Sequence, residues 1–199
     1  MEREIMKPNY RKIVQMMNFF ADKSSEHSIS KIRVLKLVFL ADRFHMRKYG
    51  SMISNDTYWA MSYGPVASCT KNIAEQKFKN IPDASSLYAQ KYLSAPKRDV
   101  VHSLLPPDMD ELGSTEVEAL EKAFSIFMRV SDVVVFTHKL PEWKKHKHQL
   151  TNIHSRRQMN LLDFFDTPRI DDYSGLTAEH VRLAKEIFQE ESKIDRLLQ

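Results

Sequence analysis

The sequence predicts an α+β fold that is predominantly helical, with a central buried helix, surrounding helices and a small antiparallel sheet of about three strands. Three observations lead to this class. Apolar residues recur at helical spacing in several segments. One of these segments, ending near Tyr49, is apolar on most sides, as expected of a helix at the centre of a domain. The aromatic run from Tyr58 to Tyr63 alternates like a short strand.

The first two helices follow from apolar periodicity and from their ends. A helix from about Asn9 to Lys23 has one buried face, formed by Ile13, Met16, Met17 and Phe20. A second helix begins after a polar break, where Ser28 or Ser30 can cap it by accepting backbone N–H bonds. It ends at Gly50, because glycine tolerates the positive φ that the end of a helix commonly needs.

A strand and a helix are predicted on either side of Gly64-Pro65-Val66. Pro65 suits the first turn of a helix, because the N–H that it lacks would have no partner there. The tripeptide is therefore interpreted as a strand-to-helix corner. The helix that follows is expected to hold Val66, Ile73 and Ala74 and to end before Pro82. Further along, Tyr92-Leu93 and Val100-Val101 predict two short strands, joined by a turn at 95–99, that pack on the strand before Gly64.

The elements after Pro107 leave alternatives open. Thr115 and Glu118 can form a capping box, while Gly113 or Ser114 can equally cap the same helix. The buried seam of that helix is predicted to be Val117, Leu120, Phe124 and Phe127. Residues 133–136 have strand propensity, but their flanking residues suit a short helix equally.

The end of the chain is predicted to be one more amphipathic helix. A short apolar segment at 161–165 and a connection at 167–175 precede it, and Thr177 caps it. The residues expected on its apolar face are Val181, Ala184, Phe188 and Leu198.

Charge and composition limit the partners and the compartment. The net charge of +4 arises from 30 basic and 26 acidic residues, a small excess that favours acidic partners without marking a dedicated nucleic-acid binder. Cys69, the single cysteine, cannot form an internal disulfide and fits a reducing compartment, so a cytoplasmic protein is expected. The amino terminus lacks the apolar core of a signal peptide, and the apolar runs are too short to span a bilayer, so no membrane partner is expected.

Asp42, Arg43 and His45 are the first candidates for chemistry. On a helix, Asp42 and His45 are neighbours, so the carboxylate can orient the imidazole as a general base. No nucleophile lies nearby in the sequence. The favoured interpretation is structural, with these groups pairing with the loop that follows the helix.

Metal and cofactor sites are not predicted. Cys69 lies in the first turns of a proposed helix but has no recognisable histidine signature around it, so it is interpreted as a small core residue. Four histidines lie among lysines that repel a cation and match no structural zinc spacing, namely His138, His146, His148 and His154. The four glycines form no P-loop and no dinucleotide-binding fingerprint.

Two groups of residues are candidates for contact with a macromolecule. A basic cluster can contact phosphates, with a solvated charged face as its ordinary alternative; it consists of Lys144, Lys145, Lys147, Arg156 and Arg157. Large aromatics often anchor interfaces, with core packing as the alternative. The aromatic candidates for partner binding are Tyr58, Trp59, Tyr63 and Trp143.

The order and spacing of several motifs resemble the Panacea domain of the SocA-like antitoxin family of bacteria and phages. The motifs are the run from Lys36 to His45, with Asp42, Arg43 and His45, then Tyr49-Gly50, Tyr63-Gly64-Pro65-Val66, Thr137-His138 and Trp143. The resemblance spans about residues 9–165, which predicts a Panacea domain there and a C-terminal helical extension at 166–199. Gly113, where a capping serine is usual, and Cys69 depart from the family pattern.

The resemblance implies a protein without catalytic activity that neutralises a cognate toxin by direct protein–protein contact. In this interpretation Asp42, Arg43 and His45 are scaffold, and Asp42 and Arg43 hold the end of the central helix against the turn that leads to the aromatic strand. The alternatives are a nucleic-acid-binding transcriptional regulator and, after it, a hydrolase that uses His45 or His138.

Overall fold

The computed structural model describes residues 7–95 and 99–197 of the chain. Within these residues the predicted class is confirmed, since α-helices predominate and two antiparallel sheets have three strands each. The helices are α1 (Tyr10–Asp22), α2 (Lys31–Tyr49), α3 (Ser68–Ala74), α4 (Asp83–Tyr92), α5 (Ser114–Arg129), α6 (Val133–Thr137), α7 (Pro141–Lys144) and α8 (Ala178–Leu197). The strands are β1 (Ser28–Ser30), β2 (Tyr58–Met61), β3 (Gly64–Ala67), β4 (Leu93–Ser94), β5 (Val100–Ser103) and β6 (Arg156–Gln158).

Helix α2 is the central element, as predicted. Its residues from Lys36 to Arg47 are buried, and it packs against α1, α5, α6, α8 and β3. Ser30 occupies the position before its first turn but makes no side-chain cap bond. Gly50 ends the helix in the left-handed region with φ +80°. A Cβ at Gly50 would lie 2.7 Å from the carbonyl oxygen of Ala184, so this glycine also lets α8 approach closely.

The first sheet has the strand order β1-β5-β4. The prediction that the strands near residues 93 and 101 pack on the strand before Gly64 is wrong, because β5 pairs with β1 through Ile29 and Val101. Tyr92 is also not in a strand but is the last residue of α4, a helix that was not predicted. Of the turn predicted at 95–99, residues 96–98 lie outside the described residues.

The second sheet has the order β3-β2-β6 and corrects the predicted corner at Gly64-Pro65-Val66. These residues form β3, which pairs with β2, and α3 begins only at Ser68. The backbone of Tyr58 bonds Met159 on the β6 side, so by alternation Trp59 and Met61 bond β3, and the nitrogen of Pro65 faces away from β2. A proline is tolerated there because it removes no ladder bond.

The open alternatives around α5 and α6 are decided by side-chain caps. Gly113 is the residue before α5, and its N–H donates to the carboxylate of Glu116 at 2.8 Å. The Thr115–Glu118 pair therefore does not cap this helix. On the predicted seam Leu120 is buried and Val117, Phe124 and Phe127 are partly buried. Residues 133–137 form a helix, because Asp132 accepts the N–H bonds of Val134 and Val135.

The segment after residue 165 packs back on the fold. Val181 and Ala184 on α8 are buried and Phe188 is partly buried, while Leu198 lies outside the described residues. The division of the chain at residue 165 stays a prediction. No helix in the described part of the chain has the length and apolarity to cross a membrane.

Candidate functional site

Asp42 holds the loop after Gly50 and the start of β2 against the central helix. Its carboxylate accepts the N–H bonds of Ile53 at 2.9 Å and Ser54 at 3.0 Å and the hydroxyl of Tyr58 at 2.7 Å. The hydroxyl of Ser54 donates to it as well. Burial raises the pKa of the Asp42 carboxyl, while these donors oppose the rise. Asp42 thus bonds the turn that leads to the aromatic strand, and it is not paired with His45.

Asp56 is a second buried carboxylate, and it is not among the residues predicted from the sequence. It accepts the N–H of Thr57 at 2.7 Å, and the N–H bonds of Cys69 and Thr70 at 3.0 and 2.8 Å. The last two bonds satisfy donors at the first turn of α3, where a carboxylate is favoured. Burial, followed by the charge of Asp56, raises the pKa of the Cys69 thiol to about 12. Cys69 is therefore not a thiolate nucleophile at neutral pH.

Arg43 lies in a buried group of charges. Its Nε donates to Glu142 at 2.6 Å and its Nη1 donates to Asp172 at 2.7 Å. The prediction that Arg43 holds the turn leading to the aromatic strand is therefore wrong. Asp42 and Arg43 are adjacent on a helix, and adjacent helical residues face different directions.

Asp172 and Arg47 extend this group of charges to the segment after α7. Burial acts to raise the pKa of Asp172, but the positive charge of Arg43 and the bonds from Ser174 outweigh it and lower the pKa to about 2. Arg47 donates to the carbonyl oxygens of Phe164 and Asp166, both at 2.9 Å. These charged side chains thus join α2 to α7, to the segment at 164–166 and to the segment around residue 172.

His45 joins the end of α2 to α5. Its Nδ1 lies 2.8 Å from the carbonyl oxygen of Ser51 and its Nε2 lies 3.2 Å from the hydroxyl of Thr115. A carbonyl only accepts, so Nδ1 donates to Ser51, while the second bond joins Nε2 and the hydroxyl of Thr115. Both ring nitrogens are therefore engaged in bonds to the fold. The ring also packs against Tyr49 with centroids 4.9 Å apart, and the hydroxyl of Tyr49 donates to Glu118.

Lys36 and Gly64 are in close contact beneath the β2–β3 hairpin. The ammonium of Lys36 donates to the carbonyl oxygen of Pro65 at 2.8 Å, and burial lowers its pKa to about 7. Gly64 has φ +100°, and a Cβ there would lie 2.8 Å from Nζ of Lys36 and 3.1 Å from Oγ1 of Thr137. Both the backbone conformation and this packing require glycine.

The Thr137-His138 and Trp143 motifs meet the same hairpin. The rings of His138 and Trp143 stack with centroids 3.9 Å apart, and the indole N–H of Trp143 donates to the carbonyl oxygen of Met61 at 2.9 Å. Burial, followed by the charge of Lys36, lowers the pKa of His138. The fold therefore brings Lys36, Gly64, Thr137, His138 and Trp143 together.

The four aromatic candidates for partner binding do not share one environment. Tyr58 is 1% exposed and Trp143 is 4% exposed, so neither presents a surface for contact in this fold. Trp59 is half-buried, with the guanidinium of Arg156 4.7 Å from its ring centroid. Tyr63 is 63% exposed, in the turn between β2 and β3. Across residues 7–95 and 99–197, no three His, Cys, Asp or Glu side chains are grouped so that they could hold a metal ion.

Comparison with protein families identifies a family to which most of the sequence motifs belong. The family described as "Antitoxin SocA-like, Panacea domain" matches residues 34–144, which is more than half of the chain. The match lies inside the region 9–165 that the resemblance spanned, and it contains Lys36, Asp42, Arg43, His45 and Trp143. No curated protein and no solved structure matches the chain.

Proposed function

Because the chain belongs to the family of SocA-like antitoxins with a Panacea domain, we propose that it neutralises a cognate toxin by binding to it directly. The family match over residues 34–144 is the observation that carries this proposal. The toxin, in this proposal, is a protein that is expressed together with this chain.

The proposal includes action without catalysis, and the state of the reactive side chains supports it. Both ring nitrogens of His45 bond to groups of the fold. The thiol of Cys69 has a raised pKa, and Asp42 is fully occupied by donors from the neighbouring loop and strand. Groups held in this way stabilise a fold, whereas a general base needs access to the proton that it removes.

Binding alone is sufficient for neutralisation, in physical terms. A stable interface buries about 800 Å² on each partner, which a domain of this size can present. The buried charges and the stacked His138–Trp143 pair fix the β2–β3 hairpin and α2 relative to each other. A preorganised surface of this kind loses little conformational freedom on binding, which favours affinity.

A nucleic-acid-binding regulator is the second candidate, and the exposed basic segment from Lys144 to Arg157 is the observation that favours it. Such a protein would bind duplex DNA with an affinity that falls steeply as salt is raised. The affinity would also be lost when Lys144, Lys145, Arg156 and Arg157 are neutralised. An antitoxin that acts by protein contact alone does not bind duplex DNA in this way.

The test is co-expression with the product of the neighbouring open reading frame. Expression of that product alone is expected to arrest growth. Co-expression of this chain is expected to restore growth and to yield a complex that co-purifies, while an unrelated protein of similar size restores nothing. Absence of both rescue and complex would overturn the proposal.

A further inference from the structure

The chain from Trp143 to Leu162 contains no acidic residue, although it contains five lysines and arginines. In the described part of the chain, Lys145 is the one among these five that lies within ion-pair distance of a carboxylate, at 2.5 Å from Asp163. Lys144, Lys147, Arg156 and Arg157 are exposed and lack such a partner there. These four residues, with Tyr63 and Ile153, are called the basic edge below.

Two hydrogen bonds connect the segments of the chain that form the basic edge. Nε of Arg157 donates to the side chain of Gln149 at 3.0 Å, which places the 147–149 turn beside β6. The hydroxyl of Ser62 donates to the carbonyl oxygen of Asn152 at 2.9 Å, which joins the turn that holds Tyr63 to the segment that holds Ile153. Tyr63 and Ile153 are each 63% exposed.

Strand β6 presents unpaired main-chain groups on the outer edge of its sheet. Met159 donates its N–H to Tyr58 of β2, so by the antiparallel alternation Arg157 also faces β2, whereas Arg156 and Gln158 face outward. The carbonyl oxygen of Arg156 accepts a bond from the guanidinium of Arg157 at 3.0 Å. The N–H and the carbonyl of Gln158 and the N–H of Arg156 have no hydrogen-bond partner among the described residues.

We infer that the basic edge binds an extended acidic segment of the toxin, which adds to β6 as a further strand and places its carboxylates beside Arg156 and Arg157. The inference rests on the proposed function and assigns the surface and the chemistry of the partner. Main-chain bonds to a sheet edge provide affinity, and side-chain pockets provide specificity. Charged residues on a short edge strand prevent pairing with unselected strands, and the same charges admit a partner of opposite sign.

A protein strand fits this surface better than a nucleic acid does. The outward N–H and carbonyl of Gln158 match the donor and acceptor pattern of a second peptide backbone, not that of a phosphate chain. Single-stranded nucleic acids are held by several aromatic side chains alternating with cations. The segment from Lys144 to Arg157 contains no Phe, Tyr or Trp, and Tyr63 is the one exposed aromatic of that kind in the basic edge. Binding to duplex DNA is one of the outcomes that the experiment distinguishes.

The test measures the Kd of the complex between this chain and the product of the neighbouring open reading frame. The double variant Arg156→Glu, Arg157→Glu is expected to weaken the complex by about a hundredfold, and its affinity is expected to depend less on salt. The matched control is Lys79→Glu, Lys91→Glu, which changes the net charge equally at exposed positions away from β6 and is expected to bind as the wild type does.

Gln158→Pro tests the strand edge separately from its charges. The proline removes an outward N–H without removing a bond to β2, so the inference predicts weaker binding by about tenfold with the melting temperature unchanged. A wild-type complex that forms and is unaffected by both the charge reversal and Gln158→Pro would overturn the inference and leave the proposed function standing. The inference is also overturned if wild-type protein binds duplex DNA and the charge reversal abolishes that binding alone. If no wild-type complex forms, the proposed function itself fails.

Discussion

Arg43 and Asp172 form a buried ion pair with 2.7 Å between Nη1 and Oδ2, which joins the middle of the central helix to the segment that follows residue 165. Arg43 is 3% exposed and Asp172 is 8% exposed. Arg43 also contacts Glu142, which is fully buried. One guanidinium therefore holds two carboxylates from parts of the chain that are far apart in sequence.

Arg43→Ala is expected to lower the free energy of unfolding by about 3 to 5 kcal/mol, because it leaves the Glu142 and Asp172 carboxylates buried without their partner. Urea denaturation of the wild type and the variant measures the difference. Lys79→Ala, at an exposed position, is the control and is expected to change the value by less than about 0.5 kcal/mol. A loss below about 1 kcal/mol for Arg43→Ala would contradict a structural role of this cluster.

Asp172→Asn is expected to destabilise the protein in a way that depends on pH. The pKa of Asp172 is lowered from 3.8 to about 2 in the folded state, so its contribution to stability is present above pH 3.8 and is lost as the pH falls through about 2. The difference in unfolding free energy between the wild type and the variant should therefore narrow over this range. Asp110→Asn, at an exposed carboxylate, is the control, and an unchanging difference for Asp172→Asn would count against the ion pair.

Lys36→Met is expected to change the pH dependence of stability in the neutral to alkaline range, where Lys36 titrates. Burial lowers the pKa of Lys36 from 10.5 to about 7, so the folded state binds fewer protons than the unfolded state between these values. The stability of the wild type relative to Lys36→Met should therefore rise as the pH increases from about 7 to 10.5. Denaturation at several pH values measures it, and a difference that stays constant would show that the ammonium is not buried as described.

Gly64→Ala is expected to lower the free energy of unfolding by about 3 kcal/mol, because it combines a positive φ with a clash against Lys36 and Thr137. Gly113→Ser is the matched control. Gly113 has φ −70° and its nearest neighbouring atom is 3.8 Å from the position of a Cβ, and serine is favoured at a helix start, so stability should stay equal or rise by a few tenths of a kcal/mol. Thermal unfolding of both variants provides the comparison, and equal effects would be evidence against the close contact at Gly64.

Apolar periodicity or a long apolar run made α1, α2, α5 and α8 predictable from the sequence, and short apolar pieces indicated β2, β4 and β5. Weak or short signals did not reveal β1, β3, α4, α7 and β6. In α4 the buried residues are Ser86, Ala89 and Tyr92. Ser86 is small and polar, and alanine is common at all helix positions, so these residues do not mark an apolar face in the sequence. Strands of three residues, such as β1 and β6, depend on their sheet partners more than on their own propensity. The basic composition of β6 is also typical of a loop, and only its pairing with β2 makes it a strand.

The candidate site was predictable as a set of residues but not as an arrangement. The family resemblance brought Lys36, Gly64, Thr137 and Trp143 to attention, although nothing local in the sequence shows that they meet. The indole N–H of the buried Trp143 donates to Met61, which lies 82 positions away. The sequence does not indicate Asp56, because a helix that begins at Pro65 would already provide intrahelical partners for the N–H groups of Cys69 and Thr70, which Asp56 binds in the structure.

If the polar motif residues hold a fold whose activity is binding, then the rescue of growth by His45→Ala should follow its affinity for the partner. Thr115→Val removes the same hydrogen bond from the other side and is the matched control. For both variants we predict that rescue of growth from the product of the neighbouring open reading frame falls only as far as the affinity of the complex falls. A folded His45→Ala protein that binds this product with wild-type Kd, but no longer rescues growth while Thr115→Val does, would show that His45 does more than hold the fold.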